Sequence, residues 1–162
     1  MFKYSFQFSR YIFFMRKVVL YFFLGFILNS CKASYPRYSM DAVSNAEKQR
    51  VYDFGKRNAE SCITRQFVQL STKEVTQYVS ELSLEEMQNF CDILDKRNGK
   101  FIDMKLIEII DNTFTSNNLI YRYKANFERN DFLNEIRIRV NIDGKFAGIG
   151  YREWKDEYIP SK

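Results

Sequence analysis

Arginine side chains recur along the predicted strands in the last third of the chain, and their chemistry suits the binding of an anion. The alternation of side chains along a strand places them on one sheet face, together with Lys124, Glu135 and Trp154. The arginines on this face are Arg122, Arg137, Arg139 and Arg152. An anionic partner would fit such a surface. The simpler interpretation is a solvated polar face, which antiparallel sheets commonly have.

The chain contains no histidine, which removes the side chain best suited to proton transfer near neutral pH and the commonest metal ligand. Nucleophilic centres that pair serine or cysteine with histidine are therefore excluded. The sequence also lacks a glycine-rich phosphate loop, a Gly-x-Ser-x-Gly motif and a close-spaced cysteine cluster. These observations predict a protein that is not an enzyme and that holds neither a cofactor nor a metal.

A short apolar segment near the amino terminus has the anatomy of an export signal. Two basic residues precede the almost wholly apolar run Val18 to Leu28, and the small residue Ser30 follows it. The run is shorter than the ~20 apolar residues that a bilayer-spanning helix needs. We therefore expect residues 1–30 to be a signal peptide. Met15 stands directly before the basic pair, so the alternative is that translation starts at Met15 and that residues 1–14 are an upstream extension of the reading frame.

Residues 28–31, Leu-Asn-Ser-Cys, resemble the lipobox of bacterial lipoproteins. This resemblance implies that the Cys31 thiol is acylated, as with palmitate, and that Cys31 becomes the first residue of a mature, membrane-anchored envelope protein. Two alternatives remain open. One is an uncleaved anchor, which would hold the basic pair in the membrane at a cost of about 2.5 to 3.5 kcal/mol for each charge. The other is an ordinary secretory signal in which Cys31 has no role.

The charge of the mature chain argues against nucleic acid as a partner. Four of the 25 basic residues and none of the 20 acidic residues precede Cys31, which leaves 21 basic against 20 acidic side chains. A nearly neutral chain lacks the excess of basic residues that a nucleic-acid-binding face requires. The positive charge of the whole sequence therefore belongs largely to the predicted signal.

Two cysteines remain after the predicted cleavage, and both lie on apolar stripes of predicted helices. An extracytoplasmic compartment would permit a disulfide between Cys62 and Cys91. The sequence alone does not place the two side chains within bonding distance. We therefore expect buried, unpaired thiols, which behave as small apolar side chains, and a disulfide is the alternative.

Residues 31–40 contain a proline and no periodicity, which is typical of a tether, and residues 41–158 are expected to form one α+β domain. From about Asp41 the apolar residues recur at steps of three and four, and this pattern continues to Leu70. It predicts a long amphipathic helix whose charged face is solvated.

Two capping-box patterns predict two further helices. Residues 71–74 and residues 83–86 both place a serine three positions before a glutamate. Gly99 then supplies a residue that tolerates the left-handed conformation at a helix end. The sequence thus predicts three amino-terminal helices.

After Gly99 the period changes to two, which predicts a meander of four antiparallel strands. The predicted strands are Phe101 to Ile110, Leu119 to Phe127, Phe132 to Ile142 and Lys145 to Trp154. A two-residue turn at Asp143-Gly144 and a four-residue turn at residues 128–131 fix the registers. The expected pairs are Phe127 with Phe132, Tyr123 with Ile136, Tyr121 with Ile138, Lys124 with Glu135, Ile138 with Ile149, Ile136 with Tyr151, Val140 with Ala147 and Ile142 with Lys145.

The first strand is ambiguous, because both of its faces carry large apolar residues. Ile107 and Ile109 would share one face, whereas Met104, Leu106 and Ile110 would share the other. If the second set faces the helices, Glu108 points inward with it. We keep both orientations open.

The order of elements resembles the cone-shaped fold of nuclear transport factor two-like and cystatin-like domains, and residues 120–125, the Asp143-Gly144 hairpin and Trp154 resemble small envelope proteins with such a domain. The resemblance covers residues 41–154. It implies a pocket between sheet and helices, for which the candidates are Glu108, Tyr121, Tyr123 and Ile138. The resemblance implies that enzymes of this fold commonly place histidine with aspartate, or tyrosine with aspartate, in that pocket. Because this sequence has no histidine, Glu108 with Tyr121 or Tyr123 would be the catalytic set.

The sequence therefore predicts a non-catalytic, lipid-anchored envelope domain that binds a hydrophobic small ligand or a partner protein. Two alternatives are an isomerase-like or dehydratase-like enzyme that uses Glu108 and the tyrosines, and contact with an anionic lipid or cell-wall polymer through the four arginines.

Overall fold

The computed structural model of the chain describes residues 35–129 and 132–160, which form an α+β domain. The sheet is antiparallel and its strands follow chain order: β1 (Arg37–Tyr38), β2 (Phe101–Asn112), β3 (Asn118–Phe127), β4 (Glu135–Asn141) and β5 (Phe146–Arg152). The helices are α1 (Asn45–Thr64), α2 (Gln77–Ser80), α3 (Leu84–Asn98) and α4 (Thr113–Ser116), and a 3-10 turn covers Met40–Ala42. The predicted signal peptide and Cys31 lie outside the described residues.

Helix α1 is shorter than predicted, because the chain turns at Arg65. The Ser44 side chain caps its first turn by accepting a hydrogen bond from the Glu47 amide at 3.1 Å. Arg65 adopts a left-handed conformation with φ of 57°, and its guanidinium binds Asp95 at 2.5 Å. The prediction of helix as far as Leu70 was therefore wrong beyond Thr64. Residues 66–70 form a loop instead.

The middle of α1 lies unusually close to the sheet. A Cβ atom on Gly55 would lie 2.5 Å from the Ile138 Cδ1 atom and 2.7 Å from the Met104 Cε atom. A larger residue would have to displace the ends of these two side chains. The absence of a side chain at position 55 thus leaves room for Ile138 and Met104 beneath the helix.

Only one of the two predicted capping boxes forms. The Ser83 side chain and the Glu86 side chain bind each other's backbone amides at the start of α3, as predicted. At residues 71–74, the Glu74 carboxylate instead pairs with Arg57, and the chain forms a turn. The prediction of a helix beginning there was wrong, because the backbone on either side of Val75 pairs with Phe146.

The predicted registers of β3, β4 and β5 are confirmed at the centre of the sheet. The confirmed pairs are Tyr121 with Ile138, Tyr123 with Ile136, Lys124 with Glu135, Ile138 with Ile149 and Ile136 with Tyr151. Near the last turn, Val140 pairs with Phe146 and not with Ala147. The reason is a three-residue loop, closed by the Asn141 amide on the Lys145 carbonyl at 2.9 Å, with Gly144 at φ of 76°.

A bulge in β2 explains the ambiguity of the first predicted strand. Leu106 pairs with Tyr123 and Glu108 pairs with Arg122, so Ile107 is the extra residue. The bulge exchanges the two faces: Leu106 shares the helix-facing side with Tyr123, whereas Glu108 shares the opposite side with Arg122. Neither of the two predicted orientations holds along the whole strand.

Part of the predicted tether belongs to the sheet. Arg37 and Tyr38 pair with Ile110 and Ile109 of β2, and the Asp111 amide donates to the Pro36 carbonyl at 2.9 Å. The assignment of residues 31–40 to a free tether was therefore wrong from Pro36 onward. This fifth strand ties the start of the described chain to the sheet.

Cys62 and Cys91 form a disulfide that joins α1 to α3. The two helices pack side by side, which brings the Cα atoms to 5.0 Å, within the bonding range. The preference for unpaired thiols was wrong. Both cysteines are buried, as the apolar stripes predicted.

Candidate functional site

The outer sheet face, which points away from α1 and α3, is covered by the end of the chain. We call residues 153–160 the terminal segment. On this face Arg122 and Glu135 are fully buried and Arg137 is 8% exposed. The prediction of a solvated polar face was therefore wrong at these three positions.

Four side chains form what we call the ion cluster: Glu108, Arg122, Glu135 and Arg137. Arg122 binds both glutamates, at 2.6 Å from its Nε atom to Glu135, and donates to the Lys155 carbonyl at 2.7 Å. Arg137 contacts both carboxylate oxygens of Glu135, at 2.6 and 3.1 Å. Two arginines thus bind the Glu135 carboxylate. Lys124 lies opposite Glu135 as predicted, but the arginines are the residues that pair with its charge.

The terminal segment covers the ion cluster with aromatic rings and backbone carbonyls. The Arg122 guanidinium lies 4.7 Å from the Trp154 ring centroid, and that of Arg137 lies 4.7 Å from the Tyr158 ring centroid. The Ile159 carbonyl accepts a hydrogen bond from Arg137 at 2.6 Å. The charged groups therefore hold the terminal segment against the sheet.

The pKa of Glu135 reflects two opposing effects. Burial raises it, but the hydrogen bonds and positive charges of Arg137 and Arg122 outweigh burial, and the pKa lies below its ordinary value. For Arg122, burial lowers the pKa, whereas Glu135 and Glu108 raise it, with a net increase. Both shifts favour the charged forms of Glu135 and Arg122, which bind each other.

The predicted catalytic set is not assembled. The β2 bulge places Glu108 on the outer face, whereas Tyr121 and Tyr123 lie on the helix-facing side, where both are 1% exposed. Burial raises the pKa of Tyr121 to about 12 and also raises that of Tyr123. Ile138 is fully buried beside them. Tyr121, Tyr123 and Ile138 thus fill the core, and the sheet separates them from the Glu108 carboxylate.

Two of the predicted surface arginines remain exposed. Arg139 and Arg152 line a cleft of about 410 Å³ on the outer face, together with Arg137, Tyr35 and Tyr158. None of the described residues that line this cleft carries a carboxylate, and we call it the arginine cleft. Arg122, by contrast, is enclosed in the ion cluster and does not reach it.

A second opening, which we call the lateral cleft, lies between α1, the loop of residues 66–70, α2, the start of α3 and β5. Its volume is about 400 Å³. Most of its lining is apolar, with walls that include Phe54, Phe67, Leu70, Val79, Met87 and Ile149. Of the described residues in this lining, Arg139 is the one that is charged. Size and composition are those of a small-molecule site.

Sequence reasoning missed the lateral cleft, because its residues were assigned to helix faces that would be buried. The signal that was available is the stretch from Phe67 to Leu70, which combines apolar residues with a position just beyond the end of α1. Val68 and Tyr78 are strongly exposed at the rim of the cleft, at 75% and 72%. Exposed apolar side chains of this kind mark binding surfaces when they cluster.

Comparison with protein families, with curated proteins and with solved structures gives no match to this chain. Within residues 35–129 and 132–160, no helix has the length and apolar character to cross a bilayer. The same residues contain no group of three or more acidic or cysteine side chains placed to hold a metal ion.

Proposed function

We propose that this chain is a non-catalytic, lipid-anchored envelope domain that binds a hydrophobic small ligand in the lateral cleft. One observation carries this proposal: an apolar-walled opening of about 400 Å³ remains beside a sheet whose central residues are fully packed. Proteins commonly bind small molecules in clefts that have largely apolar walls and a few polar groups.

The disulfide supports an extracytoplasmic location. Disulfides persist in oxidising compartments and are rare in reducing ones. The bridge between Cys62 and Cys91 spans the loop of residues 66–70 and α2, both of which line the lateral cleft. An exported domain would thus retain the covalent link that encloses its ligand site.

The resemblance to nuclear transport factor two-like and cystatin-like domains belongs to the same proposal. Its support is the order of elements, in which the long helix α1 is followed by an antiparallel meander and crosses it at Gly55. In this chain the proposed ligand lies beside the β5 edge of the sheet, and not in the pocket between sheet and helices that the resemblance implies.

We expect the neutral probe N-phenyl-1-naphthylamine to bind the protein saturably at one site, with fluorescence enhancement as the measurement. Val68→Trp places a large ring at the rim of the lateral cleft and should weaken this binding at least about tenfold, or about 1.4 kcal/mol. Ile102→Trp makes the same kind of change at an exposed position of β2 that does not line the cleft. Equal affinities for the parent and Val68→Trp would contradict the proposal.

We expect the full-length chain, expressed in a bacterial host, to incorporate labelled palmitate and to fractionate with membranes. Cys31→Ser removes the thiol that would carry the lipid, so label should disappear and the protein should leave the membrane fraction. Ser30→Ala keeps a small residue before the cysteine and should retain both properties. An unlabelled parent, or a Cys31→Ser variant that stays with membranes as the parent does, would refute the anchor.

A further inference from the structure

We propose that the ligand of the lateral cleft is an anionic amphiphile, whose apolar chain lies in the cleft and whose carboxylate or phosphate head binds the Arg139 guanidinium. This inference rests on the proposed function and specifies the chemical class of its ligand. It follows from the position, the neighbours and the unsatisfied hydrogen-bonding capacity of Arg139.

Arg139 lines the lateral cleft on one side and the arginine cleft on the other. It carries the one charge among the residues of the lateral-cleft lining that the structure describes, and the remaining polar side chains there are neutral. Among the described residues it has no ion pair, and no hydrogen bond from its guanidinium is present, although Arg122 and Arg137 on the same face are both paired. Its donors are therefore open to a ligand.

Gly148 permits this position of the guanidinium. Arg139 pairs with Gly148 across β4 and β5, and a Cβ atom on Gly148 would overlap the Nη2 atom of Arg139. The missing side chain lets the guanidinium lie directly on the backbone of β5, at the edge of the sheet. Because Gly148 also lines the lateral cleft, the charge is held at the boundary between apolar wall and solvent.

The surrounding charges favour an anion at this boundary. Arg152 and Arg137 lie in the adjoining arginine cleft, where no carboxylate is found among the described lining residues. An arginine can donate two parallel hydrogen bonds to a carboxylate or phosphate, which fixes the orientation of the head as well as its position. An apolar wall ending at such a donor suits a molecule with one apolar chain and one anionic end.

The test compares three ligands of equal chain length in competition with N-phenyl-1-naphthylamine: dodecanoate, dodecyl phosphate and 1-dodecanol. We expect each anion to bind the parent at least about tenfold more tightly than the alcohol, and we expect this preference to shrink as salt is added. Arg139→Gln should reduce the preference to about one. Arg152→Gln removes an equal charge from the adjoining arginine cleft, outside the lateral cleft, and should lower the preference much less than Arg139→Gln does.

The outcomes separate this inference from the function on which it rests. If the neutral probe and all three ligands fail to bind, the proposed function fails and this inference fails with it. If all three bind with similar affinity, or if Arg152→Gln lowers the preference as much as Arg139→Gln, the site is a hydrophobic cleft without a head-group contact. That result would overturn the inference and leave the proposed function intact.

Discussion

Replacing Glu135 with glutamine should lower the free energy of unfolding by about 3 to 5 kcal/mol, because it leaves two buried guanidinium groups without their shared carboxylate. Glu135 is fully buried and binds Arg122 and Arg137 at 2.6 Å each. Urea unfolding followed by circular dichroism measures the change. Glu153→Gln is the matched control, since Glu153 is exposed and pairs with Lys155 at 2.9 Å. A surface pair of this kind contributes at most about 1 kcal/mol.

The same residue predicts how stability depends on pH. The pKa of Glu135 is lowered in the folded protein, so its contribution is fully present above the ordinary value of 4.5 and is lost as the pH falls through the folded value. We therefore expect the parent to lose stability below about pH 4.5, with a shallower loss in Glu135→Gln. Parallel pH curves for the two proteins, or a destabilisation no larger than that of Glu153→Gln, would show that the ion cluster does not stabilise the fold.

Where turn chemistry and side-chain alternation agree, the sequence was sufficient to predict the sheet. The turn at Asp143-Gly144 and the apolar alternation of β3, β4 and β5 gave the central registers, including Tyr121 with Ile138. These signals are local, so they do not depend on what packs against the sheet. The loop was one residue longer than predicted, which shifted the pair at Val140 without changing the core.

The outer face could not be predicted, because its cover comes from a segment without periodicity. Tyr158 lies beyond the last strand, where no alternation indicates which surface it contacts. Trp154 was expected on this face as the last residue of a strand that in the structure ends at Arg152. The alternating charges at Arg122, Glu135 and Arg137 have the pattern of a solvated face, and only the tertiary structure shows that they are paired and buried. The two aromatic residues after β5 were the available signal.

The predicted pocket was wrong, and the lateral cleft was missed, for a related reason. Glu108 was expected beside the tyrosines, but the bulge at Ile107 exchanges the faces of β2, and both faces of this strand carry large apolar residues. The lateral cleft depends on where α1 ends, and this is decided by the left-handed Arg65 and its pairing with Asp95. The bulge in β2 and the end of α1 each depend on a single residue. The periodic pattern of apolar residues does not indicate either of them.

Loss of the disulfide should lower the free energy of unfolding by about 3 to 4 kcal/mol, as expected from the chain entropy of a loop of this length. The bridge closes a loop between Cys62 and Cys91, which are 29 positions apart, and this loop carries the residues 66–70 and α2 that line the lateral cleft. Cys62→Ala/Cys91→Ala should therefore be less stable.

The double variant should also bind N-phenyl-1-naphthylamine more weakly, because the free loop must be ordered when the probe binds. Denaturant unfolding of the parent with and without reductant measures the effect on stability, and the double variant is the control, since reductant should leave its midpoint unchanged. If full reduction, verified by thiol titration, leaves the midpoint of the parent unchanged, the bridge does not stabilise the domain. A loss of stability with unaltered probe binding would show instead that packing, and not the covalent link, holds the walls of the cleft in place.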